Sequence, residues 1–292
     1  MSKILLLDIE MAPNVAHVWG IWDQNIGINQ LQESSYVMCY AAKWLGDKKM
    51  MFDSVKKSGD KKMLQGIHKL LDEADAVIHY NGKRFDIPSL NKEFLLHGMF
   101  PPAPFKEIDL LTVAKGRFRF VSNKLDYVAQ QLGLGKKTEH SGHELWVQCM
   151  AGIPKAWKTM EEYNKNDVIL LEKVYERFKP WIKNHLNRQL IEGTDLCCPT
   201  CTSKNFQRRG FNMTAAGKYQ RYQCRSCGNW FRDNKNLKPK SQTTLEHAGR
   251  SKINKVHAIV NDAKWKAAAI WAKNNNITFR ILTEDDIFKT NK

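Results

Sequence analysis

Asp8 and Glu10 stand two residues apart in the apolar run ILLLDIEM, and three groups of related chemistry follow them. Asp86 lies in HYNGKRFDIP, and Tyr163 and Asp167 lie in YNKNDVILL. Carboxylates are hard oxygen ligands, and several of them aimed at one point repel one another unless cations sit between them. Four acids converging in this way would make a site for two divalent metals, Mg²⁺ or Mn²⁺, and two-metal sites commonly cleave phosphodiesters. Taken singly, each part has a plainer use. Asp8 and Glu10 also suit a strand that ends at Leu7 and leaves both acids in water. Asp86 is positioned to cap a helix opened by Pro88. Tyr163 and Asp167 fit an ordinary amphipathic helix.

The elements that must carry these groups follow from periodicity and turn residues. Lys3 to Met11 reads as a central strand closed by Ala12, Pro13 and Asn14, and on a strand the two-residue spacing aims Asp8 and Glu10 at one face. Val15 to Trp22 and Tyr36 to Leu45 are rich in β-branched and aromatic residues and are expected to pair with it, with Met50 to Val55 as an edge strand. Asp60 to Glu73 has helical spacing, Ala76 to Tyr80 reads as a strand ending in the Asn81-Gly82 turn, and Pro88 to His97 reads as a helix. Glu107 to Leu111 is expected to be a strand with Asp109 at a solvated end, and Asn123 to Leu132 a helix stopped by Gly133. Pro154 to Trp181 carries a long helical pattern on which Tyr163 and Asp167, four apart, share a face. Leading strands followed by alternating helices imply an α/β fold.

The net charge of +16 is unevenly spread: residues 197–252 hold 12 Lys+Arg against 2 Asp+Glu. No basic helix with a bulky apolar face is evident there, so nucleic acid is the expected partner rather than a membrane. No apolar run is long enough to span a bilayer, and the N-terminus lacks the layout of a signal peptide, so a cytoplasmic location is expected. Five of the seven cysteines cluster between 197 and 227. Cys198-x-x-Cys201 and Cys224-x-x-Cys227 are two knuckles of the kind that together offer four thiolates to one structural Zn²⁺. Cys197 is an extra thiol able to substitute for Cys198, although Pro199 favours Cys198; Cys39 and Cys149 read as core residues. Around the second knuckle, aromatic residues Tyr219, Tyr222, Trp230 and Phe231 interleave with arginines. Arg208, Arg209, Arg221, Arg225 and Arg232 are the expected phosphate contacts, while the rings divide between base stacking and the small core such a module needs.

The order and contexts of the acids resemble the DEDDy branch of RNase H-like 3′–5′ exonucleases, which includes polymerase proofreading domains. The motifs are Asp8-Ile9-Glu10, Asn81-Gly82-x-x-Phe85-Asp86-x-Pro88 and Tyr163-x-x-x-Asp167. The resemblance covers about residues 1–180 and is greatest to the stand-alone exonucleases of bacteria and phages. It implies an RNase H-like mixed β-sheet flanked by helices. It also implies that Asp8 bridges two metals, that Glu10 and Asp167 complete the site that activates water, and that Asp86 holds the second metal. Tyr163 would orient or help deprotonate the attacking water, and Asn81 and Phe85 would shape the wall of the substrate cleft. Tyr219 to Arg232 is similar to the zinc ribbons of some transposases. Residues 255–288 resemble the closing helix-strand piece of phage PD-(D/E)xK nucleases without that family's catalytic elements.

The expected organisation is an RNase H-like domain over 1–190, a small β zinc ribbon over 194–236, a linker over 237–252 and a short helix-strand appendage over 253–292. In that appendage Thr278 to Leu282 is the expected strand and Glu284 to Phe288 a final turn. The expected activity is metal-dependent 3′–5′ hydrolysis of nucleic acid, DNA ahead of RNA. Two alternatives share the motifs: a structure-selective endonuclease using the same acids, and a nucleic-acid-binding protein on a retired fold.

Overall fold

Strand β1 (Ile4–Met11) is apolar on both faces because it is covered on both. It pairs antiparallel with β4 (Val37–Trp44) and parallel with β6 (Ala76–His79). Outside these lie β5 (Met50–Ser54), antiparallel to β4, and β7 (Lys106–Asp109), parallel to β6. The result is a mixed five-stranded sheet in the order β5-β4-β1-β6-β7. The structure is a computed structural model and describes residues 2–192, 196–214, 217–232 and 244–274. It divides into two compact units, Met1–Gly193 and Thr194–Lys292.

The alternation of β1 sorts its side chains between two helical layers. Leu5, Leu7 and Ile9 pack with Met63, Leu64, Ile67 and Leu71 of α2 (Asp60–Asp72) and with Leu90 and Phe94 of α3 (Asp86–Leu96). A single turn of helix, α1 (Val55–Ser58), precedes α2. Ile4 and Leu6 pack on the opposite face, among residues of α4 (Leu110–Arg117), α5 (Leu125–Gln131) and α7 (Pro154–Phe178). Period-two geometry sends Asp8 and Glu10 to that same side, where α7 lies. A third cluster joins Met38 and Cys39 of β4 to α6 (His143–Met150) and to Trp157, Met160 and Tyr163 of α7. The expected α/β architecture, a mixed sheet flanked by helices, is present. A short helix, α8 (Arg188–Glu192), ends the described part of this unit.

Several local expectations are corrected. Val15 to Trp22 does not join the sheet: β2 is only Val15–Ala16, and it pairs with β3 (Leu31–Glu33) in a separate two-stranded ribbon. The two places beside β1 are already filled by β4 and β6. Asp109 is not a solvated strand end; its carboxylate accepts from the backbone N–H groups of Leu111 and Thr112 and so caps α4, a helix not anticipated from the sequence.

The second unit holds a three-stranded antiparallel sheet of β8 (Phe206–Thr214), β9 (Gly217–Cys224) and β10 (Trp230–Arg232), in the order β10-β9-β8. Its core is Tyr222 and Phe231 with Phe206 and the knuckle cysteines, so two of the four interleaved rings face inward. The last described element, α9 (Lys252–Asn274), supplies the helix of the expected appendage. The expected strand at 278–282, the turn at 284–288 and residues 237–243 of the expected linker lie outside the described residues. No helix among the described residues is long and apolar enough to cross a membrane.

The turn after β6 is the tightest point near the acids. His79 is fully buried, with its Nε2 3.3 Å from Glu107 Oε2. Asn81 follows in the left-handed region at φ 71°, a conformation asparagine tolerates better than most residues, and its N–H donates to Asp109 Oδ1. Gly82 then passes so close to the His79 ring that a Cβ there would lie 2.4 Å from its Cγ. Gly82→Ala is therefore expected to cost about 1–3 kcal/mol through overpacking, read as a Tm several degrees lower in thermal unfolding. An unchanged Tm would mean that His79 moves aside freely.

Candidate metal centres

Asp8 and Glu10 arrive from β1 and Asp167 from the facing side of α7, and each offers a carboxylate oxygen within 4.8 Å of the other two. Asp86 comes from behind. It is the first residue of α3, and its carboxylate takes a bond from its own backbone N–H. Its Oδ1 also accepts from the N–H of Ile9, 3.2 Å away, between the two acids of β1. Asp86 thus adjoins the trio without belonging to the 4.8 Å set.

Such crowding is electrostatically costly. Burial, followed by the charges of Asp167, Glu10 and Asp86, holds the Asp8 carboxyl well above the usual carboxylate range. Burial, with Asp167 next, pushes Glu10 from 4.5 up to about 8. Burial also raises Asp86 to about 6 and lifts Asp167 against the opposing pull of Lys137. Asp167 Oδ1 is buried and has no hydrogen-bond partner. An all-oxygen, anionic donor set with an orphaned carboxylate oxygen could hold hard divalent cations.

Two supporting residues were not anticipated. Lys137 Nζ donates to Asp167 Oδ2 at 2.5 Å and to the Tyr163 hydroxyl at 3.1 Å. Burial disfavours its charge, but Asp167 and Tyr163 outweigh that effect and hold the ammonium above its ordinary pKa. Asn164 is fully buried and donates from Nδ2 to Asp8 Oδ2 at 2.6 Å, and Cys39 Sγ donates to its Oδ1 at 3.8 Å. The signal for Asn164 was present, since it stands three residues before Asp167 and so shares its helix face. Lys137 lies in the connection between α5 and α6, where no periodicity marks it.

Tyr163 is nearly buried and packs edge-on against His140 and Trp146 at centroid distances of 4.8 and 5.9 Å. Its phenol is raised by burial and then by Asp167. Asn81 lines a groove with Asp8, Lys115, Lys124 and Lys137. Phe85 is 47% exposed and lines a separate hollow with Met11, His143 and Trp146.

In the second unit the sulfurs of Cys198, Cys201, Cys224 and Cys227 lie within 4.8 Å of one another. Cys198 and Cys227 are 3.7 Å apart, and Cys201 and Cys224 are 3.6 Å apart. Four thiolates at about 2.3 Å from a tetrahedral Zn²⁺ stand about 3.8 Å from each other, whereas a disulfide requires about 2.0 Å. This spacing suits a metal and not two disulfides. Cys197 is buried and stands outside the set. Gly228, at φ 78°, closes the second knuckle by donating to Cys224 O.

Arg208 and Arg209 are exposed on β8. Arg221 lies 5.3 Å from the Trp230 ring centroid, and Arg232 lies 4.2 Å from that of Tyr219. Arg225 donates to Gln207 Oε1 at 2.9 Å.

A family model described as the RNase H superfamily matches residues 27–179, and the chain belongs to that superfamily. The matched span includes Asp86, Tyr163 and Asp167 and starts after Asp8 and Glu10. Among solved structures, the family B DNA polymerase from the hyperthermophilic archaeon Pyrobaculum calidifontis is similar at a TM-score of 0.48 and 19% identity. The similarity covers 62% of this chain, which spans 25% of the polymerase. No curated protein matches the chain. Membership of the superfamily supports a nuclease.

The displaced acidities have a consequence for stability without added cations. With a folded pKa of about 8 against an ordinary 4.5, folded Glu10 keeps its proton where the unfolded chain has released it. Stability is then lost as pH rises from about 4.5 through about 8. Glu10→Gln removes this penalty and should raise Tm at pH 8 by several degrees, with the gain vanishing towards pH 4.5. An equal gain at both pH values would show that charge is not the cause.

Proposed function

We propose that the first unit is a metal-dependent 3′–5′ exonuclease of the DEDDy type, acting on nucleic acid, DNA ahead of RNA. The convergence of Asp8, Glu10 and Asp167, with Asp167 Oδ1 buried and unpaired, is the observation that carries this reading. The pair Tyr163-x-x-x-Asp167 on one face of α7 supports the subtype.

Asp8, Glu10 and Asp167, with Asp86 adjoining, would hold two Mg²⁺ or Mn²⁺ ions. When bound, such cations lower the pKa of the attacking water and stabilise the leaving oxygen. Asn164 fixes the orientation of the Asp8 carboxylate, and the Ile9 N–H does the same for Asp86. Tyr163, whose hydroxyl accepts from Lys137, would orient or help deprotonate the attacking water. Lys137 steadies both Tyr163 and Asp167. Asn81 borders one side of the substrate cleft and Phe85 another.

For the second unit, we propose a structural Zn²⁺ on Cys198, Cys201, Cys224 and Cys227, in a ribbon that binds nucleic acid. Arg208, Arg209, Arg221, Arg225 and Arg232 are its phosphate contacts, and the exposed arginines of β8 support this.

With a 5′-labelled strand and Mn²⁺, the protein should produce a ladder shortening from the 3′ end and should leave a circular strand intact. Asp8→Ala should reduce cleavage to background while strand binding persists. Digestion by the Asp8→Ala protein would mean that the acids are not the site, and cutting of the circle would mean an endonuclease. Cys224→Ser should lose its zinc by elemental analysis and bind strands several-fold more weakly; full zinc content would reject the ribbon assignment.

A further inference from the structure

The ribbon of β2 and β3 is apolar on its outside. Trp19 is 99% exposed, Ile28 92%, Ile21 86% and Trp22 84%. Two glutamine side chains of the same loop, themselves at least partly open to solvent, bond to its backbone. Gln30 Nε2 donates to His17 O, Gln30 Oε1 accepts from the Gly27 N–H, and Gln24 Nε2 donates to Trp22 O. Large apolar side chains are ordinarily covered, so the exposure of these tryptophans and isoleucines is the informative feature. The loop is thus tied into shape by its own polar groups while its largest apolar surfaces face outward.

The ribbon's base is fixed beside the acids. Register pairs Glu10 with Cys39 and Met11 with Val37, so both legs leave the sheet at the Glu10 end of β1. Ala12 N–H donates to Tyr36 O, Ser35 N–H to Asn14 Oδ1, and Lys92 Nζ to Ser35 O. Trp19 is nine residues beyond Glu10 and hence at most about 30 Å from it, a span that a few nucleotides cover.

An exposed apolar group of this size marks a contact surface. In a chain of net charge +16, residues 14–36 contain no Lys or Arg, so this surface is not made to grip phosphates. Indole planes on a framed loop, continuous with the strand carrying Asp8 and Glu10, suit flat uncharged partners. Unpaired nucleobases are such partners. We propose that the Trp19–Trp22 loop is a base-stacking platform for a strand whose end enters the acidic site, which makes single-stranded or frayed nucleic acid the favoured substrate. The proposal rests on reading that site as a nuclease.

The test uses the full chain and fluorescence anisotropy of a labelled oligothymidylate and of a blunt duplex, with no Mg²⁺ or Mn²⁺ added. Trp19→Ala/Trp22→Ala should weaken strand binding about 10-fold or more. Duplex affinity should change less than about twofold, and the slope of affinity against salt should stay the same, because no phosphate contact is lost. Trp19→Phe/Trp22→Phe should recover most of the loss. Strand affinity within twofold of wild type would overturn the proposal. So would equal losses on strand and duplex, or a Phe variant as weak as the Ala variant. A drop in sedimentation mass with unaltered strand affinity would assign the loop to a second copy of the chain instead. Cleavage is not read in this assay, so a failure of the nuclease reading would appear only with the Asp8→Ala protein.

Discussion

Mutual repulsion of carboxylates between β1 and α7 is the constraint on which the first unit turns. Four acids and one ammonium leave a formal charge of −3 if all are ionised, in surroundings where burial is the largest influence on every acid. Lys137 offsets part of this by pairing with Asp167, but Asp167 Oδ1 still lacks a partner. The upward displacement of all four acids measures what is left uncompensated. A core of this kind is tolerated only because apolar packing on both faces of the sheet supplies stability that the acidic end of β1 consumes. The same local cost prepares the site for cations, since binding relieves it.

The elements convert that constraint into geometry with few degrees of freedom. Strand alternation fixes Asp8 and Glu10 on the face of Leu6. Helical spacing puts Tyr163, Asn164 and Asp167 on the opposing surface of α7, and Asn164 ties helix to strand through the Asp8 carboxylate. Asp86 reaches the same neighbourhood through the backbone of β1, so the Gly82 turn that launches α3 also sets its position. The four acids are therefore held by three elements, β1, α3 and α7, and no loop closure is needed to bring the trio together.

How far this was legible in the sequence depended on whether a residue belongs to a periodic element. Asp8 with Glu10 and Tyr163 with Asp167 were readable because strand and helix periods alone put each pair on one face. Asp86 was readable as a polar group before a helix, but its local context pointed equally to a cap; only the bond from Ile9, 77 residues away, separates the two uses. Lys137 carried no signal, because it lies 30 residues from Asp167 in an irregular connection. The segment Val15 to Trp22 misled for a different reason. Its β-branched and aromatic residues suit a buried strand, yet both flanks of β1 are taken, and those residues face solvent. Asp109 was misjudged because a strand end and a helix cap share the same residue preference, and α4 follows with no intervening turn.

The two units show contrasting chemistry for aromatic residues on a surface. Around the knuckles, the rings of Tyr219 and Trp230 are covered by the guanidinium groups of Arg232 and Arg221, so aromatic and cation come as one unit. On the ribbon of the first unit, Trp19 and Trp22 stand without any cation in the surrounding sequence. An arginine-covered ring binds in a salt-dependent way and accepts paired or unpaired strands through their phosphates. A bare indole gains only from a base face, which a duplex hides within its stack. On the proposed reading, the strongly basic second unit would supply general attraction and the loop of the first unit strand selectivity, and this needs no fixed arrangement between them.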